Sequence, residues 1–428
     1  MASRKPHPPG DLGAVAAERF PRSSRPLVTE ALADTRIVLV MGARQVGKST
    51  MTQEIAAHDH PARTLTLDDK TTRDAANNDP AGFVAGLDGP VLIDEVQRSP
   101  DLLLAIKEAV DKDKTPGRFL LTGSANILTA PKISEALSGR IEIVNLWPLA
   151  QSEIERSTAN LVDQLFGGKP PALSGATIGR EAFVDRAVRG GYPEARLRAP
   201  RRRERWFENY LRTLVDKDLR ELADIDKIEQ MPALLRLLAA QAAGLYSAES
   251  MGKRIALDTK TVQRYTRLLE TVFLVKRIKP WRPSIGSREV HTPKVFIADS
   301  GLLAYLLGAD AKRAAADDQI TGKLFESFVA MEVARLVDWA AIRSTQYHYR
   351  NLGDEVDIVL ESRAGQIVCI ECKAAATVRS SDYRPMTKLR DERGERFVAG
   401  AVLYTGPDTV PLGDRIWAVP VSALWASS

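Results

Sequence analysis

The first half of the chain alternates short apolar runs with stretches of helical spacing. Ile37–Met41, Thr64–Leu67, Val91–Ile93, Arg118–Leu121 and Ile141–Leu146 read as buried strands. Between them, Lys48 to about His58, Asp101–Val110 and Ile133–Leu137 read as helices, while Asp68-Asp69 opens a polar stretch. Such alternation predicts a parallel sheet with helices on both faces. From Leu149 to Leu222 the pattern turns mostly helical. Trp206, Phe207, Tyr210, Leu211, Leu214, Val215, Leu219 and Leu222 recur every three or four residues, the stripe of an amphipathic helix over Arg203–Leu222. Gly190-Gly-Tyr-Pro-Glu194 ahead of it reads as a tight turn whose spacing carries no chemistry.

Met231–Ala243, Ser247–Ile255 and Thr259–Val272 predict three more helices, the last capped by Asp258. With Phe273–Trp281 as a basic wing, Met231–Trp281 has the pattern of a winged helix-turn-helix. The third helix turns Val262, Tyr265, Leu268 and Leu269 inward and carries Lys260, Gln263, Arg264 and Arg267 on its other face. That face suits a major groove and its phosphates, and the same module serves equally well as a packing scaffold. Further on, Gly353–Leu360 and Gln366–Lys373 read as two strands joined by a turn at Ser362–Gly365.

At 428 residues the chain has room for about two to four domains. Hydrophobic content of 44% and charged content of 27% are those of a globular protein. Phe119–Ala130 and Gly301–Ala309 are too short to span a bilayer, so no membrane association is expected. Residues 1–30 are basic and proline-rich without an apolar core, a disordered arm and not a secretory signal. With 2 cysteines no disulfide framework is possible, and a cytoplasmic location is the expectation. Cys369 and Cys372, three apart on a strand, point to opposite faces and read as small buried hydrophobes rather than a chelating pair. The formal charge is +5, with Arg196, Arg198, Arg201, Arg202, Arg203 and Arg205 crowded together. Such a run is either a solvated face or a set of phosphate contacts.

The strongest chemical signal is Gly42-Ala43-Arg44-Gln45-Val46-Gly47-Lys48-Ser49-Thr50, a Gly-x-x-x-x-Gly-Lys-Ser pattern placed after a buried strand and before a helix. Glycines let backbone N–H groups converge on phosphate oxygens, and the helix N-terminus adds its positive end. Lys48 would reach the β- and γ-phosphates of ATP and Ser49 would bind Mg²⁺, with Thr50 in a lesser role. Pro90-Val-Leu-Ile-Asp-Glu95 supplies the complement: Asp94 to hold Mg²⁺ and Glu95 to polarise water. Leu120-Leu-Thr-Gly-Ser-Ala-Asn126 ends another strand in polar groups. These residues resemble the AAA+ and related P-loop ATPases. The resemblance implies a γ-phosphate sensor within Thr122–Asn126 and a role for Arg140 as a finger onto a neighbouring subunit in a homo-oligomer. A local salt bridge is the other reading of Arg140.

The C-terminal strands carry the second constellation. Glu371 and Lys373 share a strand face, Asp357 on the partner strand approaches them, and Phe325-Glu326-Ser-Phe-Val329 opens a helix that adds Glu326. Carboxylates binding a second Mg²⁺ or Mn²⁺ through Asp357 and Glu371, with a lysine orienting water, are the needs of phosphodiester hydrolysis. The pattern resembles the PD-(D/E)XK restriction-endonuclease-like fold, which also persists as a non-cleaving binding platform. Together with Lys294-Val-Phe-Ile-Ala-Asp-Ser-Gly-Leu302 and Gly322-Lys-Leu-Phe-Glu326, nearly the whole chain from Ala31 resembles a prokaryotic family of such ATPases. The implied fold class is α/β: a P-loop NTPase parallel sheet (31–148), a helical lid region (149–228), a winged-helix region (229–290) and a C-terminal restriction-endonuclease-like α/β domain (291–428). The implied function is an ATPase whose cycle controls engagement of nucleic acid, DNA favoured, with or without metal-dependent cleavage.

Overall fold

Every residue of Ile37–Met41, strand β1, is buried, so it must sit inside a sheet covered on both faces. The computed structural model describes residues 19–123, 137–170, 178–220, 227–290 and 292–426. In it β1 belongs to a five-stranded parallel sheet of order β2-β3-β4-β1-β5, with β2 Arg63–Thr66, β3 Val91–Asp94, β4 Phe119–Gly123 and β5 Ile141–Asn145. Met41 at the end of β1 lies beside Gly123 of β4 and Asn145 of β5, and β3 follows on the far side of β4. The carboxyl ends of β1, β4 and β3 therefore stand side by side, at the edge where open parallel sheets bind ligands. The polar stretch after Asp68 is more structured than its composition suggests. It forms helices Lys70–Asn78 and Pro80–Ala85, started by Asp69 and Asp79, whose carboxylates accept the N–H groups of Thr72 and Gly82. Residues 1–18 of the expected arm, Ser124–Asn126, Leu222, and all of Ile133–Leu137 except Leu137 lie outside the described residues.

The turn at Gly190 acquires a role from its contacts. Gly190 has φ +67°, and the Gly191 N–H donates to the Asp299 carboxylate at 2.6 Å while its carbonyl accepts from Leu149 at 2.8 Å. A Cβ on Gly191 would lie 2.3 Å from the Leu149 carbonyl oxygen. Only glycine allows this three-way junction between the exit of the sheet, the helical region and the Ser300–Leu306 helix.

Helices Met231–Ala240, Ala248–Ile255 and Thr259–Thr271 form as expected, and Asp258 caps the third by accepting from Thr261 N at 2.9 Å. The wing is different. Strand β6, Val275–Ile278, pairs antiparallel with β7, Lys294–Ile297, so a domain boundary after residue 290 would cut a hairpin in two. Two of its basic residues also pack inward: Arg277 forks onto Glu270 at 2.8 and 2.6 Å, and Lys276 lies 5.0 Å from the centre of the Trp147 ring.

The C-terminal sheet is mixed, of order β12-β13-β11-β10-β9-β8. Its strands are β8 Ser344–Asn351, β9 Asp354–Ser362, β10 Ile367–Lys373, β11 Phe397–Tyr404, β12 Val410–Gly413 and β13 Ile416–Pro420. Cys369 packs with Met386 and Leu389 in one apolar cluster and Cys372 against the other, as opposite faces require. The Asp318–Asp338 helix is buried on nearly every side, so it lacks the polar stripe of a surface helix. Glu326 consequently sits at its middle, not near its start. The same helix reaches back to the parallel sheet: Glu332 accepts from Gln151 N at 2.9 Å, and Asp338 from the Trp147 indole at 3.0 Å. Burial pushes Glu332 up to about 7 against the pull of Arg335. Among the described residues no helix is long and apolar enough to cross a membrane.

Candidate functional sites

At the carboxyl edge of the parallel sheet, the loop after β1 is shaped by two glycines for different reasons. A Cβ on Gly42 would fall 2.1 Å from the Leu146 carbonyl oxygen, and Gly47 has φ +98°. Ala43 and Val46 are buried and anchor the loop, while Gln45 and Thr50 face solvent. The buried Lys48 ammonium donates to the carbonyls of Gly42 at 3.0 Å and Ala43 at 2.9 Å, which folds the loop around it. Ser49 donates its hydroxyl to Asp94 Oδ1 at 3.0 Å, and the Thr122 hydroxyl donates to the same oxygen. The Glu95 N–H in turn donates to Thr122 Oγ1 at 3.1 Å. Three adjacent strand ends thus converge on one carboxylate. Hard oxygen donors on Ser49 and Asp94 fit Mg²⁺, and these two residues would hold it. The ion would neutralise phosphate charge when bound. Glu95 carries φ +60°, a left-handed backbone that costs a non-glycine residue roughly 1–3 kcal/mol. Its carboxylate accepts from the Gln97 amide.

The C-terminal carboxylates also converge, with a different centre. Asp357 and Glu371 face each other across β9 and β10: the Asp357 N–H donates to Glu371 Oε2 at 3.3 Å, and Cys372 N–H donates to Asp357 Oδ2 at 3.0 Å. Glu326 comes in from the long helix. At the middle stands the Lys294 ammonium, 2.7 Å from Glu326, 2.7 Å from Glu355 and 3.0 Å from Asp357. Burial alone would lower its pKa, but Asp357, Glu326 and Glu355 outweigh that and hold it above the ordinary lysine value. Burial, then the charge of Asp357, raises Glu371 well above the usual carboxylate range. Lys373, expected to orient water here, instead donates to Asp382 at 2.7 Å on the Ser380–Arg393 helix. Among the described residues no group of three or more His, Cys, Asp or Glu side chains is arranged to hold a metal ion. Asp357, one of the expected metal pair with Glu371, is instead paired with the Lys294 ammonium in this arrangement.

Comparison with known proteins divides the chain in the same way. Residues 34–155 match the model of an AAA domain. The N-terminal unit is an AAA-type P-loop ATPase domain. Residues 180–313 match a domain of unknown function (DUF8612), and residues 321–424 match another (DUF4143). The first of these contains both β6 and β7, in keeping with the unbroken hairpin. The chain is 29% identical over 420 residues to an uncharacterized protein of Mycobacterium tuberculosis, Rv2008c, covering 97% of this chain and 87% of that one. An uncharacterized protein of Mycobacterium bovis, Mb2031c, matches equally. Among solved structures, the Thermotoga maritima RuvB Holliday junction branch migration motor aligns with 62% of this chain and 89% of its own, at 18% identity and a TM-score of 0.28. Cdc6p from Pyrobaculum aerophilum aligns with 70% of this chain and 97% of its own, at 12% identity and the same TM-score of 0.28. Likenesses this slight carry no weight below.

The AAA domain opens onto a cavity of about 420 Å³ that joins Arg44 and Gln45 of the loop to Arg198, Arg202 and Arg205 of the helical region. Part of the arginine run therefore faces the phosphate loop, while Arg203 is buried and Arg201 is exposed. Arg140 forks onto Asp111 at 2.5 and 3.2 Å within the same chain, the local salt bridge anticipated as its second reading. Lys260, Gln263, Arg264 and Arg267 are all exposed on one side of the Thr259–Thr271 helix. Lys294 and Glu355 were not foreseen as site residues. The alternation Glu355-Val-Asp357 on one strand held a clue, since side chains two apart share a face. Lys294 offered none beyond its place at the head of an apolar run.

Proposed function

We propose that this chain is a Mg²⁺-dependent ATPase whose nucleotide state controls engagement of DNA by the helical and winged-helix regions, with Arg140 available to a neighbouring subunit only if its pair with Asp111 opens. The observation that carries the reading is the arginine-lined cavity, because it sets cationic side chains of a second region opposite the phosphate loop. A bound triphosphate would draw Arg202 and Arg205 toward the loop, and a diphosphate would hold them less firmly. Glu95, beside the Asp94 carboxylate, is the group to orient an attacking water. The exposed basic face Lys260–Arg267 supports duplex contact, with Lys276 and Arg277 of the wing turned inward.

The test is DNA affinity by fluorescence anisotropy with ATP, with ADP and without nucleotide. The reading expects several-fold differences among the three that vanish in Lys48→Ala. Affinity independent of nucleotide in the wild-type chain would sink it. A second reading, cleavage of DNA at the C-terminal domain, has the convergence of Glu326, Asp357 and Glu371 in its favour. Plasmid incubated with Mn²⁺, beside Asp357→Asn, separates a cutter from a non-cleaving regulator.

A further inference from the structure

Four carboxylates from two parts of the fold meet where the start of β9 lies beside the end of β10, and one cation already sits among them. Glu355 and Asp357 share a face of β9, Glu326 reaches in from the Asp318–Asp338 helix, and Glu371 stands across from Asp357. The Lys294 ammonium has three N–H donors, and three carboxylates stand within hydrogen-bond range of it. Its side chain is 3% exposed, so water does not share these contacts. Mg²⁺ would need oxygens at about 2.0–2.1 Å in a near-octahedral shell. An ammonium drawing those same oxygens to 2.7–3.0 Å occupies the volume that shell requires, and its charge repels the ion. Lys294 is not a loose tether either. It pairs with Ile278 in the β6–β7 ladder and forms a backbone bridge to Leu245.

We propose that Lys294 is the resident cation of this cluster, so that the C-terminal carboxylates form a metal-independent clamp joining the winged-helix hairpin to the C-terminal domain instead of a nuclease centre. The lysine belongs to β7 and the carboxylates to the opposite unit, so the ion cluster fixes how those two units meet. Lys373, for its part, donates to Asp382 at 2.7 Å. Nothing in the clamp depends on nucleotide.

Manganese binding to the nucleotide-free full chain tests this directly, by calorimetry and by the electron paramagnetic resonance signal of free Mn²⁺. Wild-type protein and Asp357→Asn should bind the same amount. Lys294→Ala should gain about one additional Mn²⁺ per chain, lost again in the double variant with Asp357→Asn. Its thermal midpoint should climb with Mn²⁺ while that of the wild type stays put. Lys294→Met, which keeps the buried stem, replaces the alanine variant if the latter does not fold. A Mn²⁺ ion on the wild-type chain that Asp357→Asn removes would overturn the proposal, and so would a folded Lys294 variant that gains none.

Discussion

Two strand ends in this molecule carry acidic residues, and they differ in where their positive charge comes from. At the end of β3, Asp94 accepts from two neutral hydroxyls, Ser49 and Thr122. Near the start of β9, Asp357 is held by a buried ammonium that also binds Glu326 and Glu355. A carboxylate oriented by hydroxyls keeps its affinity for a cation that arrives and leaves with the substrate. A carboxylate bound to a lysine of the neighbouring unit has spent that affinity on the fold. Removing one partner from a buried pair of the second kind typically costs about 3–5 kcal/mol. The difference teaches that acidic residues at a strand end do not by themselves announce a metal site. What surrounds the carboxylate decides.

The sharpest way to break the contrast is to remove the charge at each site. Lys48→Ala should abolish ATP binding measured by calorimetry, a loss of at least about a hundredfold for a buried charge-assisted contact. Chelating Mg²⁺ should weaken ATP binding to the wild-type chain while leaving the midpoint of the nucleotide-free protein unchanged. A falling midpoint on chelation would mean that a metal holds the fold together, against the lysine clamp.

Next in size is Glu95→Gln, which keeps the shape of the loop after β3 and removes the basic carboxylate. ATP should still bind, and turnover in a phosphate-release assay should fall by about 10²–10⁴-fold. An unchanged rate would reassign the water-orienting role and leave the left-handed backbone of Glu95 without a catalytic reason.

How much of this was legible in sequence follows from how local each feature is. The loop Gly42–Thr50 is contiguous, and its glycines answer a close approach at Gly42 and a φ of +98° at Gly47 that side chains rarely adopt, so it stood out. Asp357 and Glu371 were readable because two strands and a short turn fix their register. Lys294 was not, because it enters from a hairpin far away in the chain, and β7 shows its partner β6 only once the chain is folded. The inward turn of Arg277 and Lys276 was hidden for the same reason: Glu270 and Trp147 approach them from other elements. Charge on a strand reports composition, and only packing reports direction.

A third prediction uses protons in place of metal. His348 is buried beside the clamp, accompanied by Lys294, Glu355 and Asp357, and its backbone joins Trp281 and Lys279 of the stretch following β6. Burial, then the charge of Lys294, lowers its pKa to about 4 from the ordinary imidazole value of 6.5. Between those values the unfolded chain takes up a proton that the folded chain refuses, so stability is full above about 6.5 and is lost as pH falls toward 4. The full interval amounts to about 3 kcal/mol at most. Urea unfolding at pH 7 and at pH 4.5 should show wild type losing more stability on acidification than His348→Gln. Equal losses would mean that the clamp tolerates a second positive charge.

The smallest expected effect concerns the exposed basic face of the Thr259–Thr271 helix, near which the two kinds of charge meet. Arg264 and Lys260 are exposed, whereas Arg277 is committed to Glu270 and Lys276 packs on Trp147. If the exposed residues touch phosphates, Lys260→Ala and Arg264→Ala should each weaken duplex binding a few-fold across unrelated sequences. Each should also reduce the slope of log affinity against log salt by about 1. Arg277→Ala should leave that slope alone and lower the thermal midpoint, because its charge serves the fold. Unchanged slopes in Lys260→Ala and Arg264→Ala would make the helix a scaffold. The basic face would then be a solvated surface, and the cationic partner of any nucleic acid would have to be sought at the arginines around the phosphate loop.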